Sequence, residues 1–512
     1  MDEFISWFKF SLRQSRYVIF LSTLLSGCMV GPNFHSPKSP NVHSYNAKPL
    51  PKQTAGTPAA GRAGTQQKYI YGRDIPAEWW HVFQSQEIDK LVRMGIANSP
   101  TLVAAQAALR QAQETLNAQI GNLLFPALDV GVNGQRQRFA GSTFGGGVPS
   151  SLFNLFNASV SVAYNLDIFG GSRRELESLR AQVDYQQFQL LATYLTLTSN
   201  IVTTGFTIAS YESQIDATVA LIKAAEKTLD IMRKQYDVGG IANTNVLAQQ
   251  TLVDQALATL PPLQKSLSQS RHAMAVLIGE YPNTPIPSIN LRKLKLPAQI
   301  PVSIPSNLVQ QRPDVRASEA LLHSASAQIG VATANLFPQF NITGSYGWTT
   351  SFLPGIFSSN NKAWMMATQL TQPAFHGGAL LAQRRAAIAA YDQALAQYKQ
   401  VLLQAFQNTS DALRAIETDA RTFKSAKNAE ISAFRNFIIT RKQYKDGGVA
   451  YLNLLNAEQQ YQQTRIASVQ AQAMRYADTA ALFQALGGGW WNRKFKKCPD
   501  HVNPTNASLT CP

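Results

Sequence analysis

The sequence has few of the residues that build enzymatic or metal sites. It contains 3 cysteines and 7 histidines in 512 residues, and no GxSxG, HExxH, CxxC or P-loop motif occurs in it. The histidines are scattered singly, so His272 and His323 are expected to be surface or packed helix residues. The 8 methionines form no cluster that would favour copper or silver. We therefore expect neither an enzyme nor a metal or cofactor site.

The formal net charge of +16 is spread along the chain. Arg292, Lys293 and Lys295 form the tightest internal basic cluster, and no dense basic tract is interleaved with aromatic residues. Such a distribution predicts a diffusely positive surface rather than a nucleic-acid site. With 45% hydrophobic residues, the chain can bury a large core.

Two long stretches almost lack glycine and proline. Ala379 to Asp446 contains neither, and Ser172 to Val238 contains only Gly205. Each stretch predicts one helix of about 65 residues, close to 100 Å long. The turns that follow, DVGG and KDGG, carry the paired glycines that end helices. Shorter helices are predicted at roughly 101–124, 244–280, 314–336 and 452–486, with Pro261-Pro262 interrupting or kinking the second of these.

The N-terminus has the pattern of an export signal. Lys9, Arg13 and Arg16 precede the apolar run YVIFLSTLL, which ends in LSGC. LSGC resembles a bacterial lipobox, which implies cleavage before Cys28 and acylation of Cys28. A leader with a chance cysteine is the alternative. Met29 rather than aspartate after the cysteine suits export to the outer membrane.

The remaining cysteines, Cys498 and Cys511, both lie in the C-terminal tail. In an oxidising periplasm they could pair and close a small loop, or they could stay as two free thiols. Neither has metal-ligand spacing.

The chain repeats itself in tandem. NLLFPALDVGVNG from residue 122 is echoed by NLFPQFNITGSYGW from residue 335, and KQYDVGG by KQYKDGG, with Gln235 and Gln443 lying 208 residues apart. A repeat of this length is too long for a solenoid. The predicted organisation is a signal peptide at 1–27, a lipid anchor and extended tether at 28–75, a first repeat at 76–281, a proline-rich equatorial linker at 282–307, a second repeat at 308–490 and a tail at 491–512.

Each repeat carries two segments in which apolar and polar residues alternate. Strands are predicted at about 126–137, 157–168, 338–349 and 363–372, each long enough to cross a bilayer when tilted. Four strands cannot close a barrel, so three chains supplying twelve strands is the simplest arrangement with a passage. The Gly/Ser/Pro-rich loops 138–156 and 349–362 would lie at the extracellular rim. A half-buried sheet in a soluble domain remains the alternative.

Several motifs together resemble the TolC-type outer-membrane factors, in their OprM/NodT-like lipoprotein branch. These motifs are VGPNFHSP, EWWHVF, RPDVRASEALLHSASAQIGVATANLFP, PAFHGG and ALGGGW, which occur in this order over almost the whole mature chain. The resemblance implies a mainly α fold with a membrane β-barrel. A homotrimer would share a twelve-stranded outer-membrane barrel and a periplasmic α-helical barrel. The implied partners are a periplasmic adaptor protein and an inner-membrane transporter of the RND type.

The resemblance also places a gate and a contact surface at the periplasmic tip. The family's gate carries aspartates, whereas the matching polar residues here are uncharged, and asparagines can only exchange hydrogen bonds. A gate is therefore expected, but not an acidic one. Its residues would be Leu452, Asn453, Asn456, Gln459 and Asn245. The adaptor would contact Val238, Gly239, Gly240, Ile241 and Ala242 in the first turn, and Gly447, Gly448, Val449 and Ala450 in the second.

The function implied is that of an exit duct of a tripartite efflux system, conducting small molecules out of the cell. Two other functions stay open at this point. Within the same family, a channel can export polypeptides (type I secretion). A lipid-anchored coiled-coil scaffold would explain the anchor and the long helices, but not four strands placed symmetrically in a duplication.

Overall fold

The fold is mainly helical and repeats one order of elements twice. The computed structural model describes residues 29–42, 44–140, 149–493, 496–497 and 510–511. In the first repeat a helix, two strands and two helices follow one another, and the second repeat has the same order with nearly the same lengths. The helices are α1 Gln86–Asn98, α2 Pro100–Leu124, α3 Gly171–Asp237, α4 Asn243–Leu277, α5 Pro305–Gln311, α6 Pro313–Ala334, α7 Ala379–Lys445 and α8 Tyr451–Ala485.

The two stretches poor in glycine and proline each form one continuous helix of 67 residues, α3 and α7. This confirms the prediction of two very long helices. Pro261-Pro262 does not interrupt the helix, because α4 runs through both prolines, and a kink there stays a prediction. The carbonyls that these prolines leave without donors belong to Leu257 and Ala258, which are exposed and can be hydrated.

No helix in the described ranges combines the length and apolar character needed to cross a membrane.

The chain divides into two compact units. Among the described residues, the first comprises those up to 37 together with 108–186 and 317–398, and the second comprises those in 38–107, in 187–316 and from 399 onwards. The first unit holds a four-stranded antiparallel sheet in the order β2-β3-β5-β6. Its strands are β2 Ala127–Phe139, β3 Ser151–Leu166, β5 Gln339–Thr350 and β6 Lys362–Thr371.

The register of this sheet separates an apolar face from a polar face. Paired residues of neighbouring antiparallel strands project on the same side, and one row across all four strands reads Val130, Val160, Tyr346 and Trp364. The adjacent row, on the other side, begins with Asp129, Ser161 and Ser345. The alternation extends across β2, β3 and β5, but the polar row ends at the apolar Met365 of β6.

The second strand of the sheet begins six residues before its predicted start at 157. Residues Ser151 to Phe156 pair with Phe139 to Gly134, so the β2-β3 hairpin continues into the segment expected to be a loop. Glycine and serine in this segment concealed the pairing, which depends on the partner strand rather than on local propensity. Residues 141–148 lie outside the described residues.

In the second unit, part of the expected tether pairs with part of the expected linker. Strand β1 Lys68–Tyr71 runs parallel to β4 Gln299–Val302. Thr54 and Gln67, which precede β1, are also buried. The expectations of an extended tether at 28–75 and of an irregular linker at 282–307 are therefore wrong for these residues. The pairing joins segments more than 200 positions apart, which no local pattern encodes.

Candidate functional site

The predicted tip consists of two helical hairpins whose turns have the same hydrogen-bond pattern. At the end of α3, the Gly239 amide donates to the carbonyl of Tyr236 (2.8 Å) and the Gly240 amide to that of Gln235 (2.7 Å). At the end of α7, Gly447 donates to Tyr444 (3.1 Å) and Gly448 to Gln443 (2.8 Å). This is the Schellman arrangement. Gly239 and Gly447 both have a φ of 75°, a left-handed conformation that favours glycine.

A shared apolar core holds the two hairpins together. It includes Leu229 and Met232 of α3, Leu252 of α4 and Leu454 of α8. A buried polar chain crosses it: the Tyr451 hydroxyl donates to Gln249 Oε1, and Gln249 Nε2 donates to the Ala225 carbonyl at 2.8 Å. A buried amide without hydrogen-bond partners destabilises the folded state. These two hydrogen bonds therefore fix the relative register of α3, α4 and α8.

The predicted gate residues of α8 lie mainly on its exposed side, opposite this core. Leu452 is 61% exposed, and Asn453 and Asn456 are exposed as well, whereas Gln459 is half-buried. Asn245 occupies the equivalent position in the first turn of α4: its amide donates to Ala242, as that of Asn453 does to Ala450. Polar side chains on an exposed helix face can line a passage once other copies of the chain are added.

Most residues predicted to contact an adaptor are exposed in the two turns. Val238 is 83% exposed, and Gly239, Gly240, Gly447 and Gly448 are exposed too. The other members are Ala242 and Ala450, which are exposed, and Ile241 and Val449, which are half-buried.

The predictions about the cysteines concern residues at the two ends of the chain. Cys28 and Cys498 lie outside the described residues, and the side chain of Cys511 is not described. Among the described residues, no group of three or more His, Cys, Asp or Glu side chains could hold a metal ion.

A buried glutamate beside the predicted gate residues is a feature that the sequence did not predict. Glu458 of α8 is only 4% exposed and lines a cavity of about 160 Å³ together with Thr218, Phe437, Gln462 and Arg465. Thr218 Oγ1 and Gln462 Nε2, both buried, have no hydrogen-bond partner in the described part of the chain. The sequence spacing could have indicated its burial. Glu458 follows the buried Tyr451 by seven positions, and a coiled coil carries a core residue at that spacing.

Burial raises the pKa of Glu458 to about 7, although the charge of Arg441 opposes the shift. A carboxyl with a raised folded-state pKa stabilises the fold below its unfolded pKa, near 4, and this contribution is lost as the pH rises through 7. We expect the free energy of opening of this part of α8 to fall by about 2 kcal/mol between pH 5 and pH 8.

Glu458→Gln keeps the shape without titrating, so this pH dependence should largely disappear in the variant. The free energy of opening at each pH is measured by hydrogen exchange of the amides at 455–462, after correction for the intrinsic exchange rate at that pH. Glu226→Gln, at an exposed position of α3, is the matched control and should retain the wild-type dependence. Equal pH dependence in wild type and Glu458→Gln would contradict the assignment.

A family model described as "Outer membrane efflux protein" matches residues 91–280 and 304–488, one segment in each half and most of the chain in total. The chain belongs to the outer membrane efflux protein family. Members of this family are channel proteins rather than enzymes, and the family indicates an outer-membrane location extending into the periplasm.

Individual relatives of this efflux protein are distant but match over nearly the full length. The "Probable efflux pump outer membrane protein TtgC" of Pseudomonas putida is 25% identical over 478 residues, 92% of this chain and 94% of TtgC. The "Pyoverdine export outer membrane protein OpmQ" of the same species is 27% identical and covers 86% of this chain and 93% of OpmQ. The solved outer-membrane channel OprN shares the fold with a TM-score of 0.80 at 24% identity, over 90% of this chain and all of OprN.

Proposed function

We propose that this protein is the outer-membrane exit duct of a tripartite efflux system, and that it passively conducts small molecules delivered by an inner-membrane pump and a periplasmic adaptor. The observation that carries the proposal is the family match over both repeats, together with relatives whose names describe efflux and export. Strands β2, β3 and β5 carry the apolar and polar rows that such a duct requires.

The edges of the sheet support a homotrimer. β2 and β6 are its edge strands, with 13 and 10 residues, and their outer N–H and C=O groups need partners in a bilayer. Val130 of β2 and Trp364 of β6 are among the most exposed apolar residues in the described part of the chain. Pairing of β2 with β6 of a neighbouring copy would satisfy both edges, and three copies would give a twelve-stranded barrel.

The proposal includes three attachments. Acylation of Cys28 would anchor the mature chain in outer-membrane lipid. The turns at 238–242 and 447–450 would contact the adaptor, since they are the exposed ends of the hairpins. The pump would be of the RND type, as the resemblance to the OprM/NodT-like branch implies. A disulfide between Cys498 and Cys511 stays a prediction.

Native mass and single-channel conductance of the detergent-extracted protein test the duct. We expect a mass of three chains and discrete conductance steps after insertion into a planar bilayer. A monomer or dimer without conductance would reject the duct and favour the lipid-anchored scaffold. Conductance that opens only with a bound polypeptide would favour type I secretion.

The gate proposal makes its own prediction, at Asn456. Asn456→Asp would add three carboxylates around the axis of a trimer, and a ring of negative charge attracts cations. We expect cation selectivity, measured as the reversal potential under a salt gradient, to increase severalfold. Asn456→Ser, which removes the amide without adding charge, should leave the selectivity close to wild type. Unchanged selectivity in Asn456→Asp would remove residue 456 from the passage.

A further inference from the structure

The segment just after the predicted lipid attachment site lies on the first unit instead of extending away from it. We call residues 30–36 the N-terminal strap; they make up most of the VGPNFHSP motif, for which the proposed function supplies no role. The strap is first held through its backbone, where the Val30 amide donates to the Phe169 carbonyl at 3.1 Å. Phe169 lies between the end of β3 and the start of α3.

Arg174, in the first turn of α3, makes most of the polar contacts with the strap. Its Nε donates to the Val30 carbonyl (3.1 Å), and its Nη2 donates to the Gly31 carbonyl (3.3 Å) and to Asn33 Oδ1 (2.8 Å). Arg174 is only 1% exposed. A buried guanidinium needs such acceptors, because an unpaired buried charge is strongly unfavourable.

A second set of contacts joins the same strap to α6. Glu177 accepts from Arg174 Nη1 at 2.7 Å and lies 2.9 Å from Nε2 of His323. The ring of Phe34 stacks on the His323 ring with centroids 4.4 Å apart. Two residues further along the strap, the Ser36 hydroxyl donates to Glu319. The strap therefore has apolar, polar and charged contacts on two helices.

The strap also approaches the α6 backbone more closely than any side chain would allow. A Cβ added at Gly31 would lie 2.5 Å from the Cα of Gly330, and one added at Gly330 would lie 2.7 Å from Cγ of Arg174. Gly31 has a φ of 90°, which disfavours other residues. Gly31 thus permits the close approach of the strap to α6, and Gly330 leaves room for the Arg174 side chain that binds the strap.

The duplication provides an internal comparison. The Arg174 amide donates to Gly170, and the Ala382 amide donates to Gly378 in the same way, so Ala382 is the counterpart of Arg174 208 residues later. The second repeat thus has an exposed alanine where the first has a buried arginine. The chain has a single N-terminus, and the residue that binds the strap occurs in one repeat alone.

We propose that Arg174 and the surrounding groups of α3 and α6 form a clasp for the N-terminal strap, and that the clasp fixes the membrane-anchored end of the chain on the first unit. Arg174 is its central positioning residue, and the partner of this surface is the chain's own peptide, residues 30–36. The inference rests on the proposed function for the anchoring of Cys28, but the docking of the strap stands on the contacts alone. A pull on the lipid anchor would then act on two helices rather than on a free tether.

Chymotrypsin cleavage after Phe34 tests the clasp in the detergent-extracted full-length mature protein. The Phe34 ring packs on His323, so cleavage requires the strap to open, and its rate then reports the open population. In Arg174→Met the charged hydrogen bonds are lost, and we expect cleavage at least about tenfold faster than in wild type. Arg174→Lys should be intermediate, because an ammonium cannot reproduce the planar fork.

Arg173→Met is the matched control. Arg173 is the neighbouring arginine of the same helix turn, and it bonds Asp167 rather than the strap, so cleavage should stay near the wild-type rate. Gly31→Ala alters only the strap, so it tests the clasp even if Arg174→Met fails to fold, and it should also accelerate cleavage. Wild-type rates in both Arg174→Met and Gly31→Ala, or equal acceleration in Arg173→Met, would overturn the clasp.

The mass of the N-terminal peptide of the native protein tests the anchor separately. Missing acyl groups on Cys28 would reject the lipid anchor and the role of the clasp in holding it, while the cleavage rates would still decide whether Arg174 holds the strap.

Discussion

Trp79→Ala is expected to lower the free energy of unfolding of the second unit by about 4 kcal/mol. Trp79 is 1% exposed, and its ring stacks on Phe483 with centroids 5.5 Å apart. It also meets Trp80 and Phe83 edge to face. Truncation to alanine removes these contacts and leaves a cavity that the surrounding side chains fill only in part.

Two variants separate lost packing from other effects. The indole N–H of Trp79 has no acceptor in the described part of the chain. Trp79→Phe therefore loses side-chain volume but no hydrogen bond, and it should lower the free energy of unfolding clearly less than Trp79→Ala does. Tyr281→Ala, at a highly exposed aromatic of the same unit, should cost under about 0.5 kcal/mol. Thermal unfolding and hydrogen exchange of α1 and α8 would measure all three. A loss of under about 1 kcal/mol in Trp79→Ala would contradict the packing seen here.

Arg475→Met is expected to release the segment before β1 from α8, at a cost of about 3 kcal/mol. Arg475 is 1% exposed and donates to the carbonyls of Ala63 (2.8 Å) and Thr65 (2.7 Å). Burial lowers the pKa of Arg475 to about 10, partly offset by neighbouring Tyr476 and Asp419, so the guanidinium stays charged at neutral pH. Methionine keeps much of the length but leaves both carbonyls without this donor.

Proteolysis within residues 54–67 reports this release locally, and thermal unfolding reports it globally. Arg421→Met is the control, because Arg421 is mostly exposed and makes one surface ion pair with Glu417, a kind of contact worth at most about 1 kcal/mol. Equal proteolysis of residues 54–67 in the two variants would show that Arg475 does not hold the segment.

The elements that could be predicted from the sequence are those whose signal is local. The absence of glycine and proline from 379 to 445 leaves helix as the state that satisfies every backbone group of so long a run. Alternation along 339–350 likewise predicts a two-faced strand, because successive side chains of a strand point to opposite sides. Paired glycines after each long helix predicted turns that the structure shows in the Schellman form.

Part of the candidate site escaped prediction for a different reason. Asn453 and Asn456 were placed by resemblance, and their role stays a prediction because the groups they would face belong to other copies of the chain. Glu458 was not predicted although it occupies a core position. A charged residue in a helix is normally assigned to the solvent-exposed face, and only the position of the neighbouring helix shows that this one is buried.

The sequence by itself determined the long helices, the two-faced strands, the helix-ending turns and the duplication, because each depends on residues a few positions apart or on direct repetition. Only the tertiary structure showed which helices and strands the segments before and after the first repeat contact. Arg174 binds residues 30–33, Arg475 binds residues 63–65, and β1 pairs with β4. These contacts join groups separated by more than 140 positions, and the favourable energy of a buried hydrogen bond appears only when the fold has excluded water from both partners.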